Sequence, residues 1–512
     1  MNVPPPGFVA IDLGATSGRV MLGVVRPGPD GPADPGPGRV ELVECGRFGN
    51  GPVAVPGGAS GWELRWDVLA LWRGIAAALR GAARQAERLG VEIRGIGVDS
   101  WAVDHGLLDG DGRLLAAPWC YRDERFAGVP EAVYERIPAE EHYAVNGLQT
   151  LPFTTEFQLV AGRADAAWAA ADRLLLVPDL VSYWLTGRAV TEVTNASTTG
   201  LLDARTRDWS HVLLARLAGE YPELGELRAR LADLVEPGAV VGPLAAAVQE
   251  ATGLGAVTVY AVASHDTASA VAAAPLGAAT PGAAAYISSG TWSLVGLELP
   301  RPVLIEASRE ANFTNELGLD GTVRYLRNVM GLWVLDECVR HWEANGESVD
   351  LAALLDAARA EPRSGVLIDV DGQELLAPGD MPRRVADAVV RAGGSAPGSR
   401  AALARVVLDS LAAAYARVIA QASALAGVEV EAVHVVGGGA QNDLLCRLTA
   451  EATGLPVIAG PVEATALGNV LVQARAAGVL GDGTDLADLR RVVVASTELR
   501  RYAPKGQVRI RV

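Results

Sequence analysis

Asp12 ends the apolar run Phe8-Val9-Ala10-Ile11, and Gly14, Ala15, Thr16, Ser17, Gly18 and Arg19 follow almost at once. A strand with this ending delivers a carboxylate to the rim of a sheet. The small and hydroxyl residues behind it then form a turn whose amides face an anion. In that arrangement Asp12 holds Mg²⁺, directly or through water, and Arg19 neutralises a phosphate oxygen. A plain β-hairpin with a buried strand-end acid shows the same string, and the lysine of a Walker loop is absent.

Five further strings carry chemistry of a related kind. In SSGTWS, the hydroxyls of Ser288, Ser289, Thr291 and Ser293 surround Gly290 at the end of an apolar strand, where glycine lets backbone approach a ligand; a turn of this kind taken alone is more often structural. In VHVVGGGAQN, the triplet Gly437-Gly438-Gly439 costs chain entropy, which either a close approach to a flat ligand such as adenosine or a strained turn explains; Asn442 stands ready to cap the next helix. The neighbouring stretch Gly460 to Asn469 reads as another loop entering a helix and a second wall for the same ligand. In VASHDTASA, a strand ends at Ser264-His265-Asp266-Thr267, which puts a carboxylate where it can accept a proton from an attacking alcohol; the alternative is that Asp266 or Thr267 caps the helix. Finally, DSWAVDH and PWCYRDER gather Asp99, Trp101, Asp104, His105, Trp119, Tyr121, Arg122, Asp123 and Arg125, the aromatic faces and fixed charges of a polyol site or of a packed core with surface ion pairs.

The elements that must position these residues are legible from periodicity. FVAIDLG, a Gly and hydroxyl turn, and RVMLGVV read as strand, turn, strand, followed by a proline- and glycine-rich loop through residues 27–37 and the strand RVELVECGRF. Leu69, Trp72, Ile75 and Leu79 mark one face of a helix that stops at Gly90, and IRGIGVD is the next strand. The second half repeats the scheme: strand, SSGTWS turn, strand, then the helical run ARVVLDSLAAAYARVIAQASAL before VEAVHVV. The pattern predicts an α/β fold of two lobes with mixed sheets, divided near residue 250.

Composition narrows the functions available. The chain has 512 residues, half of them apolar, enough for more than one core. Its net charge of −16 opposes binding to nucleic acid or to an anionic membrane, so any phosphate must be held by local amides, hydroxyls or a metal. The mean hydropathy of +0.21 reflects alanine; no stretch reaches the roughly 20 strongly apolar residues of a membrane span. Cys45, Cys120, Cys338 and Cys446 lack C-x-x-C spacing and read as reduced thiols of a cytoplasmic protein. His142, His211, His341 and His434 show no metal-ligand spacing.

Taken in order, IDLGATSGR, DSWAVDH, YRDER, SHDTASA, SSGTWSL, NVMGLW and VVGGGAQN resemble the FGGY carbohydrate kinases, and among them the rhamnulokinase branch, from about Phe8 to Leu480. The resemblance implies two ribonuclease H-like lobes of the actin/hexokinase-like ATPase type that close around ATP and a sugar in an interlobe cleft. Residues 1–250 would form the sugar-binding lobe and 251–512 the nucleotide-binding lobe. The implied reaction is Mg²⁺-assisted transfer of phosphate from ATP to the C1 hydroxyl of L-rhamnulose. Carried over by position, the loop Ala15 to Arg19 meets the ATP phosphates and Asp266 accepts the proton. His265 and Thr267 flank the sugar, Asn328 binds it, Thr291 touches ATP and Gly438 lies against the nucleotide.

Two positions depart from the family pattern. Ala102 replaces a common glycine, adding a methyl where backbone approaches the sugar, and Asp336 stands where a nucleotide-contacting glutamine is expected. Kinases of fuculose, xylulose, ribulose or glycerol, and a catalytically silent sugar sensor, are the rival readings. The expected partners are a small sugar and ATP, with no nucleic acid and no membrane, in a monomer or homodimer.

Overall fold

The structure, a computed structural model, describes residues 4–26, 38–57, 61–277 and 282–504. The loop expected at 27–37 lies outside the described residues.

Two compact units divide the chain. The first holds the polypeptide up to Ala273 and takes back Pro300–Arg324 and Thr465–Ser496; the second holds Ala274–Leu299, Tyr325–Ala464 and the chain from Thr497. Where the sequence pointed to one crossing near residue 250, the division is discontinuous. Its cause is visible in the helix Ala464–Ala476, whose Asn469 and Gln473 are buried in the core of the first unit.

In the first unit the sheet runs in the order Val240–Pro243, Thr258–Tyr260, Glu92–Ser100, Pro6–Leu13, Ser17–Arg26, Arg39–Gly49. Pro6–Leu13 pairs antiparallel with Ser17–Arg26 and parallel with Glu92–Ser100, which pairs parallel with Thr258–Tyr260. The sheet is therefore mixed, as the strand pattern predicts. The helix Val68–Leu89 covers one face, begun by the Asp67 carboxylate accepting from the Ala70 amide and ended by Gly90 at φ 63°. Its buried face differs from the expected one. Leu69 is 68% exposed, and Val68 and Leu71 join Ile75 and Leu79 in the core, with Trp72 half-buried. Glycine explains the tight seat: a Cβ on Gly81 would lie 2.2 Å from the Cys45 carbonyl oxygen on the neighbouring strand.

The second unit repeats the plan, as its sequence suggests. Ala284–Ser289 pairs antiparallel with Trp292–Leu299 and parallel with Ala432–Val436, which pairs parallel with Val457–Ala459. Helix Arg400–Ala426 runs from its Ser399 cap to Gly427 in the left-handed region. Among the described residues no helix is long and apolar enough to cross a membrane.

One polar seam crosses the first unit's core. Asn469 donates from Nδ2 to Asp99 Oδ2 at 2.5 Å, and Gln473 donates from Nε2 to Asn469 Oδ1 at 2.6 Å and to the Val9 carbonyl at 3.0 Å. Gly95 and Gly97 make room for it, since a Cβ there would lie 2.7 Å from Gln473 Oε1 and 2.6 Å from Asn469 Oδ1 respectively. Overpacking of this kind costs about 1–3 kcal/mol. Gly97→Ala should therefore unfold at lower urea in equilibrium denaturation, whereas Gly49→Ala, whose Cβ meets nothing within 4 Å, should not.

Candidate active site

Three parallel strands of the first unit end at one rim. Asp12 and Asp99 are register partners on adjacent strands, and the Ser100 amide donates to the Ser264 carbonyl at 2.9 Å, which brings His265 and Asp266 alongside. The carboxyl ends of parallel strands are where open α/β sheets present ligand-binding groups. Here the geometry concentrates like charge. Asp99, fully buried, is held well above the usual carboxylate range by burial and then by the Asp12 charge, against the pull of the Asn469 bond. Arg19, expected to meet phosphate, stands across the hairpin from Asp12 and donates to its Oδ2 from Nε at 2.8 Å and from Nη2 at 2.7 Å.

Asp266 is the first residue of the helix Asp266–Ala272; His265, not Asp266 or Thr267, occupies the capping position, and its side chain makes no cap bond. The helix cap thus falls to the residue before Asp266. Thr267 Oγ1 donates to Asp266 Oδ1 at 3.1 Å, and His265 Nε2 stands 3.4 Å from the same oxygen. Both neighbours engage Oδ1, which leaves Oδ2 as the oxygen able to accept a proton. Burial raises this carboxyl above its ordinary value; His265 pulls it down and Asp12 pushes it up. Raising a carboxylate toward the working pH strengthens it as a general base.

Residues that sequence reasoning missed hold this strand end in place. Glu192 Oε2 accepts from the Ser264 amide at 2.9 Å and from the Ser264 hydroxyl at 2.8 Å. Asn50 ties down the 14–17 turn, donating from Nδ2 to the Gly14 carbonyl at 2.7 Å and from its amide to the Thr16 carbonyl at 3.1 Å. In that turn Thr16 is exposed at the tip and Ala15 and Ser17 are half-buried. Gly18 has a packing reason of its own, because a Cβ there would lie 2.2 Å from the Phe48 ring.

Asp104 lies beside this rim in a cage of donors. Its Oδ2 accepts from Trp66 Nε1 at 2.5 Å, Trp101 Nε1 at 3.0 Å and the Tyr121 amide at 3.2 Å; its Oδ1 accepts from Gln158 Nε2 at 2.8 Å. The Ala102 carbonyl accepts from the Asp104 amide at 2.9 Å across Val103, which sits at φ 66°. An i to i+2 bond around a β-branched residue with positive φ is the rare, strained form of the γ-turn. Thr155 pins it by donating from Oγ1 to the Val103 carbonyl at 2.7 Å. Trp66, Thr155 and Gln158 lie too far along the chain for local spacing to reveal them.

Much of the PWCYRDER string proves architectural. Asp123 accepts from the Leu64 amide at 2.6 Å and the Arg125 amide at 2.8 Å, and Trp119 is stacked between Arg65 and Arg125 at 3.3 and 3.8 Å.

Burial pushes the Asp104 carboxyl up to about 7, against the pull of its donors. Its folded-state pKa therefore exceeds that of an unfolded aspartate, about 3.9. The stability this group contributes is complete below about 3.9 and is lost as pH rises through about 7. Urea midpoints measured from pH 4 to pH 8 should fall, and Asp104→Asn should make the fall shallower.

In the second unit the SSGTWS turn separates its hydroxyls. Ser293 is buried and bonded to the Tyr415 hydroxyl at 2.6 Å, and Ser289 packs against the glycine triplet. Thr291 stays half-buried at the tip, where its carbonyl accepts from the Trp333 amide at 3.2 Å. The three glycines also part company. Gly437 has φ 82° and a Cβ position 3.0 Å from the Ser289 carbonyl oxygen; Gly439 would place a Cβ 2.0 Å from Ser289 Oγ; Gly438 would meet nothing within 4 Å. Packing thus requires the outer two, while the middle one faces open space.

Asn442 caps the helix Asp443–Thr453, accepting from the Leu445 amide at 3.0 Å. Asn328 lies half-buried on the strand Val323–Met330, and Asp336, raised by burial, lies one turn into the helix Trp333–Ala344. The stretch from Gly460, read as a wall for adenosine, ends at the Asn469 that bonds Asp99.

Residues 55–273 match the model described as the FGGY family of carbohydrate kinases, N-terminal domain, and residues 285–477 match that family's C-terminal domain. A rhamnulokinase of Bacteroides thetaiotaomicron is 40% identical over 97% of this chain and 96% of its own length. One of Enterococcus faecalis is 38% identical over 93% of this chain and 90% of its own. Among solved structures, the chain is similar to a xylulose kinase of Lactobacillus acidophilus, with TM-score 0.72 and 15% identity over 98% of this chain and 94% of that one. It is also similar to Plasmodium falciparum glycerol kinase with ADP, with TM-score 0.73 and 12% identity over the same shares, 98% and 94%. The fold is thus the two-domain α/β type with mixed sheets of the actin/hexokinase-like ATPases. With both domain models matched in order and full-length relatives at this level of identity, the chain belongs to the FGGY family of carbohydrate kinases, enzymes that use ATP.

Proposed function

We propose that this kinase phosphorylates the C1 hydroxyl of L-rhamnulose. Relatives named rhamnulokinase at 40%, 39% and 38% identity support the substrate. The observation that carries the chemistry is Asp266, a carboxylate raised by burial whose Oδ1 is engaged by Thr267 and His265 and whose Oδ2 is left to receive a proton. In the reaction Asp266 orients the attacking alcohol and accepts its proton as the new bond to phosphorus forms. His265, Thr267, Ala102, Asp104 and Asn328 are assigned to the sugar, and Ala15 to Arg19, Thr291, Gly438 and Asp336 to the nucleotide.

Mg²⁺ fits the rim. The Asp12 charge raises the proton affinity of both Asp99 and Asp266, a repulsion that a divalent cation relieves. Magnesium is commonly held by one or two carboxylates together with substrate phosphates and waters. Asp12 would hold the ion, directly or through water, and the ion would supply charge neutralisation on the transferring phosphate. We place the enzyme in the cytoplasm, where ATP is available and its four free cysteines stay reduced, as a monomer or homodimer.

Ala102, whose methyl sits in the strained turn before Asp104, favours a second reading in which another ketose is the better substrate. A coupled ADP assay with L-rhamnulose, L-fuculose, xylulose, ribulose and glycerol should give its highest kcat/KM with L-rhamnulose; a higher value with another acceptor displaces that sugar from the proposal. Sugar binding without any ADP release would point instead to a silent sensor.

Two substitutions test the assignments. Asp266→Asn should cut sugar-dependent ADP formation by a factor on the order of 10² to 10⁴ while ATP still binds in calorimetry. Gly438→Ala should leave the melting temperature unchanged, because its Cβ enters open space, yet weaken ATP binding by about tenfold or more in the same titration.

A further inference from the structure

Behind His265 lie two charged side chains that the reaction just described does not use. Arg324 is 0% exposed and Glu316 is buried beside it, with Arg324 Nη1 2.9 Å from Glu316 Oε2. Burying an ion pair is expensive, and a pair buried this deeply needs an explanation in position or function. Both residues belong to Pro300–Arg324, the excursion by which the chain returns to the first unit.

Arg324 is anchored by donating from Nε to the Leu317 carbonyl at 3.1 Å, which leaves Nη2 3.1 Å from His265 Nδ1. A guanidinium can only donate. The nitrogen that receives its hydrogen must offer a lone pair, so the imidazole proton belongs on Nε2, the nitrogen that stands 3.4 Å from Asp266 Oδ1. Glu316 Oε2 lies 3.2 Å from the same Nδ1. Unopposed, that carboxylate would draw the proton to Nδ1, and Nε2 would then turn a lone pair toward the Asp266 carboxylate. The guanidinium, donating to Nδ1 and paired with Glu316, reverses this preference.

We propose that Glu316 and Arg324 are a positioning pair that holds His265 as the Nε2–H tautomer, so that its ring donates to Oδ1 of Asp266 and Oδ2 remains the proton acceptor. The proposal rests on the reading of Asp266 as the general base. It assigns no contact with sugar or nucleotide to either member of the pair.

The test uses the full-length protein labelled with ¹⁵N-histidine, without sugar or ATP, at neutral pH. Imidazole signals of residue 265 are assigned by their loss in His265→Gln. The expected result is a protonated Nε2 and an unprotonated Nδ1; a protonated Nδ1 overturns the proposal whether or not any variant folds. The paired replacement Glu316→Met with Arg324→Met, an apolar exchange of the kind buried pairs often tolerate, should yield mixed tautomers. It should also lower kcat by about tenfold or more with KM for ATP unchanged, and Arg324→Lys, which keeps a donor, should recover part of that loss. An unchanged tautomer and kcat in the double variant also overturn it. Should Asp266→Asn retain full activity while the Nε2–H tautomer is observed, the base assignment fails and the ring assignment stands; the opposite pair of results separates them the other way.

Discussion

The parallel register that sets Asp12 opposite Asp99 governs the first unit. Two acids on adjacent strands, with Asp266 brought beside them by the Ser100 to Ser264 bond, repel one another in a setting that burial makes unforgiving. The surroundings answer that repulsion piece by piece. Arg19 faces Asp12 across the hairpin, Asn469 reaches Asp99, and His265 and Thr267 stand at Asp266. Chain segments far apart in sequence converge on this rim because each carboxylate needs its own partner, and an unpartnered buried charge costs far more than a lost hydrogen bond.

Glycine is the means by which partners come close enough. Gly95 and Gly97 admit Gln473 and Asn469, and Gly81 seats the long helix against its sheet. In the second unit Gly437 and Gly439 close on Ser289 in the same way, whereas Gly438 has no such neighbour. A glycine that packing does not require is more informative about a ligand than two that it does.

The strand, turn, strand beginnings of both halves, the helix ending at Gly90, and the Asn442 cap were all readable in the sequence because each depends on residues within a turn or two of one another. The strand end that carries Asp12, the helix start at Asp266 and the turn that carries Thr291 were readable for the same reason. What stayed hidden depends on distance along the chain. Nothing near Asp104 announces Trp66 or Gln158, and nothing near His265 announces Glu316 or Arg324. The helical face was misjudged at Leu69 because Val68 and Leu71 offer an equally apolar stripe and only the position of the sheet decides between them. Similarly, hydroxyl content alone could not tell that Ser293 turns inward to Tyr415.

The discontinuous first unit has a bearing on how such a chain can be cut. A fragment stopping at Ala273 would retain every strand of its sheet but none of Thr465–Ser496 or Pro300–Arg324. The Val9 carbonyl and the Asp99 carboxylate would lose Gln473 and Asn469, and the slots over Gly95 and Gly97 would stand empty. Half of this polypeptide is therefore not half of this protein: the first unit is completed by residues that the second half of the chain supplies.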